Sequence, residues 1–113
     1  MAIIELNSTN QPYYVDQFGT PARPGETIQW KTTSGKFSIA IRDTLEFFSG
    51  KTGSPLKNIE KIIIDSAGTD SSETYTIKNN LSTGTEKKYE VYCITNSDPA
   101  DAPPKIIITP AAD

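Results

Sequence analysis

The chain has 113 residues, 11 Lys+Arg against 14 Asp+Glu, a net charge of -3 and no histidine. That length suits one small domain, and without histidine there is no Ser-His-Asp or Cys-His relay and no imidazole metal ligand. The hydrophobic share of 35% is low, and Thr, Ser, Asn, Gly and Pro fill the difference, the mixture of short strands joined by turns.

In chain order, residues 2–6 and 13–15 read as short strand pieces separated by a turn or bulge at 7–12. Pro21, Pro24 and Gly25 punctuate a loop ahead of residues 27–31, where strict alternation puts Ile28 and Trp30 on one face. After a turn at 32–35, Phe37, Ile39 and Ile41 alternate with Ser38, Ala40 and Arg42, which predicts an antiparallel neighbour and hence a hairpin. Residues 43–48 fit either one helical turn or an irregular crossing, followed by a flexible loop at 49–55. Residues 59–65, 74–77 and 88–94 are β-branched or aromatic runs, the last with Tyr89, Val91 and Cys93 on one face, and residues 105–109 close the set. Seven or eight short strands at near-regular spacing predict an all-β Greek-key β-sandwich, a single domain over residues 1–113; an immunoglobulin-like sandwich is the alternative plan.

Eleven scattered cations give little counterion release, so nucleic acid is not an expected partner. The single cysteine, Cys93, allows no internal disulfide and no multi-cysteine zinc site, and it reads as a small buried hydrophobe. The first residues have no basic segment and Glu5 breaks their apolar run, so no signal peptide or membrane span is read there. Localisation stays open, leaning to the cytoplasm, or to export if the chain was trimmed at a cleavage site and restarted with methionine. Gly50-Lys51-Thr52 lacks the phosphate loop's earlier glycine, Leu45 standing in its place. Asp65, Asp70 and Glu73 lie in a run without calcium-loop spacing and read as a solvated turn. Asn7-Ser8-Thr9 and Asn80-Leu81-Ser82 fit the glycosylation acceptor pattern, which matters only in a eukaryotic secretory setting.

Two segments carry a resemblance to a known family. Pro24-Gly25-Glu26-Thr27-Ile28-Gln29-Trp30 is similar to the Gly-acidic-Thr-aliphatic-x-aromatic strand of the cupredoxins. Residues 81–93, ending Tyr89-Glu90-Val91-Tyr92-Cys93, resemble the strand that delivers their copper cysteine. The resemblance implies a cupredoxin-like sandwich over residues 21–109. It also implies a metal site built from that cysteine, two imidazoles and an axial thioether, a donor set that suits both copper oxidation states. Here Phe37 stands where the first histidine belongs, the loop at 95–104 holds neither histidine nor methionine, and the lone methionine is Met1. The resemblance therefore implies a copper-free member with no cofactor.

The expected function is a non-catalytic binding or interaction module whose partner is another protein or a second copy of the chain, without nucleic acid or membrane. Its surface is expected at the loop end of the sandwich, around Phe37, Phe47, Phe48, Asn96, Asp98 and Asp101, because loops on a rigid sandwich usually carry function. Phe47 and Phe48 enter because two adjacent rings cannot both face inward on an extended strand. Two alternatives stay open. One is a metal-binding protein using Asp98 and Asp101 in the 96–104 loop, with or without Cys93; the other is a small carboxylate-based enzyme.

Overall fold

A computed structural model describes residues 1–110; residues 111–113 of the expected domain lie outside the described residues. The strands are β1 (Ala2–Asn7), β2 (Gly19–Ala22), β3 (Thr27–Ser34), β4 (Lys36–Arg42), β5 (Phe48–Lys51), β6 (Ile59–Asp65), β7 (Tyr75–Ile77), β8 (Glu86–Lys88), β9 (Glu90–Cys93), β10 (Asp98–Pro99) and β11 (Lys105–Ile108), with a 3-10 turn at Thr44–Glu46. They form three sheets, in the orders β1-β3-β7-β5, β10-β9-β4-β6 and β2-β11-β8. The result is an all-β sandwich, and among the described residues no helix is long and apolar enough to cross a membrane.

Period-two burial explains the strands. In β3, Ile28, Trp30 and Thr32 are buried, and in β4, Phe37, Ile39 and Ile41 are buried, each alternating with polar or small residues. The inward faces supply one core in which Trp30 meets Tyr75 and Tyr89 edge-on, at ring separations of 5.6 and 5.3 Å, and Phe48 lies 5.2 Å from Tyr75. Ile106 and Ile108 of β11 join the same core.

The hairpin expected across the 32–35 turn, between residues 27–31 and the strand of Phe37, Ile39 and Ile41, is not formed. β3 and β4 lie in different sheets, joined through Gly35, whose φ of +99° turns the chain from one layer to the other. A Cβ at Gly35 would stand 2.8 Å from the Ser8 Cβ, so the corner has no room for a side chain. Alternation reports which face is buried, not which sheet the strand joins, and both arrangements share it. The same crossing happens at Tyr89. The single run expected over residues 88–94 divides there into β8, paired with β11, and β9, paired with β4. This division, the two-residue β10, and β2 and β5, which form where a Pro-punctuated loop and a flexible loop at 49–55 are expected, raise the strand number to eleven among the described residues. Residues 13–15 form no strand; Val15 makes only an isolated bridge to Leu6.

Candidate functional site

The end of the sandwich beside Gly35 is where the resemblance places a metal. Register alone brings three expected residues into one row there: Asp98 of β10 is opposite Cys93 of β9, which is opposite Phe37 of β4. Cys93 and Phe37 both lie on inward-facing positions and are fully buried. Tyr14 completes the arrangement from the loop between β1 and β2. Its backbone takes the left-handed conformation with φ 68°, its N–H donates to the Asn10 carbonyl at 2.7 Å, and its ring packs 5.8 Å from Phe37. The Tyr14 hydroxyl donates to Asp98 Oδ2. That hydrogen bond, with burial, raises the Tyr14 pKa, since ionisation would face the Asp98 carboxylate with a second negative charge.

The 96–104 loop is fastened to the same N-terminal segment. Asn96 Nδ2 donates to the Ser8 carbonyl at 2.8 Å, and Asp101 N–H donates to the Pro12 carbonyl at 3.1 Å. Ala100 N–H donates to the Val91 carbonyl at 2.9 Å. The loop is therefore a fixed plug over the end of β9. This end of the sandwich offers the Cys93 thiol, the Asp98 carboxylate already engaged by a phenol, and the hydrocarbon ring of Phe37. This donor set does not fit a blue copper centre, which needs imidazole nitrogens beside the thiolate. Met1 cannot supply a thioether there, because β1 begins beside Ile28, at the far end of β3 from Gly35. Among the described residues no group of three or more His, Cys, Asp or Glu side chains could hold a metal ion.

Asp98 and Asp101 part company. Asp98 faces Tyr14, whereas Asp101 is exposed and lines a groove on the outward face of the β10-β9-β4-β6 sheet. This groove, of about 520 Å³, has Ser38 and Ala40 as its floor and Tyr92, Lys61, Pro99 and Pro103 among its walls. Its floor is shallow because the central strand presents small side chains outward. Tyr92 and Ile63, opposite Ser38 on either side, are 42% and 54% exposed, so the face is partly apolar.

Phe37, Phe47 and Phe48 are not surface residues, and the expectation that they line one is corrected here. All three are at most 2% exposed. Phe47 follows the 3-10 turn with φ -117° and ψ -37°, so its side chain and that of Phe48 diverge by less than strand geometry demands and both reach the core. Their rings meet edge-on at 5.1 Å. They also sit elsewhere: Phe48 pairs with Ile77 of β7, whose neighbour Thr76 pairs with Thr27, the start of β3, far from the Gly35 corner.

A second polar constellation lies at that other end. Glu60 occupies an inward position of β6 between Ile41 on β4 and the core, with its side chain 4% exposed. Its Oε1 accepts from Lys51 Nζ and from the Tyr75 hydroxyl, each at 2.7 Å, and its Oε2 accepts from Lys57 N–H at 2.8 Å. Lys51 Nζ also reaches Glu73 Oε2 at 2.8 Å. Burial disfavours the charges on both members of the pair, but the hydrogen bonds outweigh it, leaving Lys51 above and Glu60 below their ordinary pKa values. Burial and then Glu60 push the Tyr75 phenol up. Every partner is satisfied, so the cluster stabilises charges that stay fixed and has no free base or acid to offer. Its signal in the sequence was a carboxylate in phase with Ile62 and Ile64; Lys51 could not be matched to it before the fold placed β5 near β6.

No protein-family model and no curated protein sequence matches the chain. Among solved structures it is similar to a reduced Cu(I) form, at pH 4, of a point mutant of amicyanin, with a TM-score of 0.52 and 10% identity over 95% of this chain and 80% of that one. At that identity the likeness bears on the fold alone. The chain has a cupredoxin-like fold, as the strand segments around Trp30 and Cys93 led us to expect.

Proposed function

We propose that this cupredoxin-like chain is a copper-free, non-catalytic binding module that recognises another protein. The observation that carries the reading is the filled end of the sandwich, where Phe37 packs against Cys93 and the Tyr14–Asp98 hydrogen bond closes the rim. A thiol without an imidazole neighbour, sealed from solvent, supports neither copper binding nor nucleophilic chemistry. The engaged carboxylate of Asp98 likewise argues against a carboxylate metal site there. What the surface offers instead is the shallow groove over Ser38 and Ala40, rimmed by Tyr92 and the fixed 99–103 segment, a feature suited to contact with a protein surface.

The test is a thermal-shift titration of metal-free protein against copper, zinc, calcium and manganese, with elemental analysis of the protein as purified. A ligand held by the native state alone raises the melting temperature by mass action. We expect no ion to shift it and none to co-purify in stoichiometric amount. Copper bound one per chain would overturn the copper-free reading and make the Cys93 end a metal centre, and stoichiometric zinc, calcium or manganese would overturn the binding-module reading in favour of a metal-binding protein.

A further inference from the structure

Edge strands expose unpaired backbone groups, and a folded protein has to blunt them or use them. Most edges here are blunted. β1 is covered by residues 14–16, through Asn7 N–H to Tyr14 and Asp16 N–H to Glu5. β5 is four residues long with a register shift between Phe48 and Gly50, β2 carries Pro21, β8 has three residues and β10 two. β6 is different: seven residues, β-branched, and paired on one side only, with β4.

Which of its backbone groups are free follows from the hydrogen bonds at its ends. Ser66 N–H donates to the Gly35 carbonyl and the Asn58 carbonyl accepts from Thr44 N–H, so these and the alternate positions between them turn toward β4. Ile59, Lys61, Ile63 and Asp65 turn the other way. Asp65 N–H is taken by the Thr69 carbonyl across its own turn, whereas the N–H and C=O groups of Ile59, Lys61 and Ile63 meet no protein group among the described residues. The outward side chains of the same positions leave Ile59 and Ile63 49% and 54% exposed.

We propose that β6 pairs antiparallel with β6 of a second copy of this chain, about a two-fold axis at Ile62, joining two four-stranded sheets into one. This surface is separate from the Cys93 end and does not depend on its metal status. Charge and sterics select the occupant and the register. With the axis at Ile62, each Lys61 lies opposite Ile63 of the second copy, the pair exchanges both backbone hydrogen bonds, and the lysine stem covers the exposed isoleucine. Its same-face diagonal neighbours in the second copy are Lys61 and Asp65, and the ammonium turns from the first toward the second. Shifting the axis to Lys61 opposes two ammonium groups, and shifting it to Ile63 sets Lys61 opposite Asp65, whose backbone N–H and C=O are already taken by Thr69 and Gly68 and cannot complete the ladder. A lysine on an edge ordinarily deters pairing. Here it deters strands that lack an acid at the matching position and admits one that carries it, namely β6 itself.

The experiment is sedimentation velocity on the full chain over a range of concentrations, for the unaltered protein and for Lys61→Glu and Asp65→Lys, with circular dichroism to establish that each is folded. The unaltered protein should pass from monomer to dimer as concentration rises. Either single charge reversal sets like charges together twice per dimer and should weaken association roughly tenfold or more. Mixing the two variants restores an opposite-charge pair at both contacts and should restore the dimer as a heterodimer. A chain that stays monomeric to its solubility limit, as it would if the edge served an unrelated extended peptide, overturns the proposal. So does a folded Lys61→Glu variant that dimerises like the unaltered protein, a result that needs no second variant.

Discussion

Removing the ammonium of Lys51 tests whether the buried pair holds β5 to β6. In Lys51→Met the aliphatic stem is kept and the Glu60 carboxylate loses one of its three donors, retaining the Tyr75 hydroxyl and Lys57 N–H. Breaking a buried pair by removing one partner costs about 3–5 kcal/mol; the two surviving donors place this case at the low end, near 3 kcal/mol. For a domain of this size that is a fall of roughly 10–20 °C in melting temperature. The assay is urea unfolding, where the midpoint should fall with the slope unchanged. The double variant Lys51→Met/Glu60→Leu removes the stranded charge and should regain most of the loss. The sign of the pH dependence is a further check. In the unaltered protein Glu60 has a lowered folded pKa, so its contribution is present above the unfolded carboxylate pKa and fades as pH falls through the folded value. In Lys51→Met desolvation dominates and raises that pKa, so the variant gains relative stability as pH drops from 7 toward about 5. A loss below about 1 kcal/mol, or a double variant no better than the single, would refute the account.

Tyr14, Tyr75 and Tyr89 all have raised pKa values, from the Asp98 hydrogen bond in the first and from burial in the other two. A raised folded pKa means stability that is full below the unfolded phenol pKa of about 10 and is lost as pH climbs through the folded values, so ionisation of these three should coincide with alkaline unfolding. Absorbance at 295 nm followed beside circular dichroism measures both; three phenolates formed near pH 10 in a folded chain would contradict it. Phe48→Ala empties a core position against Phe47 and Tyr75 and should cost about 3–5 kcal/mol in chemical unfolding. A near-neutral result would return Phe48 to the surface role that its sequence context suggested.

Much of the sandwich is legible in residues whose environment alternates. Trp30, Phe37, Ile39, Ile41, Val91 and Cys93 are buried as their spacing predicts, because strand periodicity is a local property. Partner choice is not local. The parallel pairings of β1 with β3 and β11 with β2, and the transfer of the chain between sheets at Gly35 and Tyr89, depend on the whole topology. The candidate site shows the same division. Cys93 and Phe37 could be placed near Asp98 only through the family resemblance, and Tyr14, which holds the rim closed, lies in the 13–15 segment that reads as a strand piece. Glu60 lies inside a segment that reads only as a β-branched run, and the lysine that neutralises it comes from a segment whose composition reads as loop.

The third sheet sets an order of events for the chain as it is made. β11 is its central strand, flanked by β2 and β8, and Thr109 Oγ1 closes onto the Ala22 carbonyl across 87 residues. Until residues 105–108 leave the ribosome, β2 and β8 have no sheet partner, although β4, β6 and β9 can already pair. Domains complete folding as units, and separations of this length make closure slow. Before β11 is made the nascent protein therefore carries an unfinished sheet, and once residues 59–65 have emerged the free β6 strand stands exposed beside it.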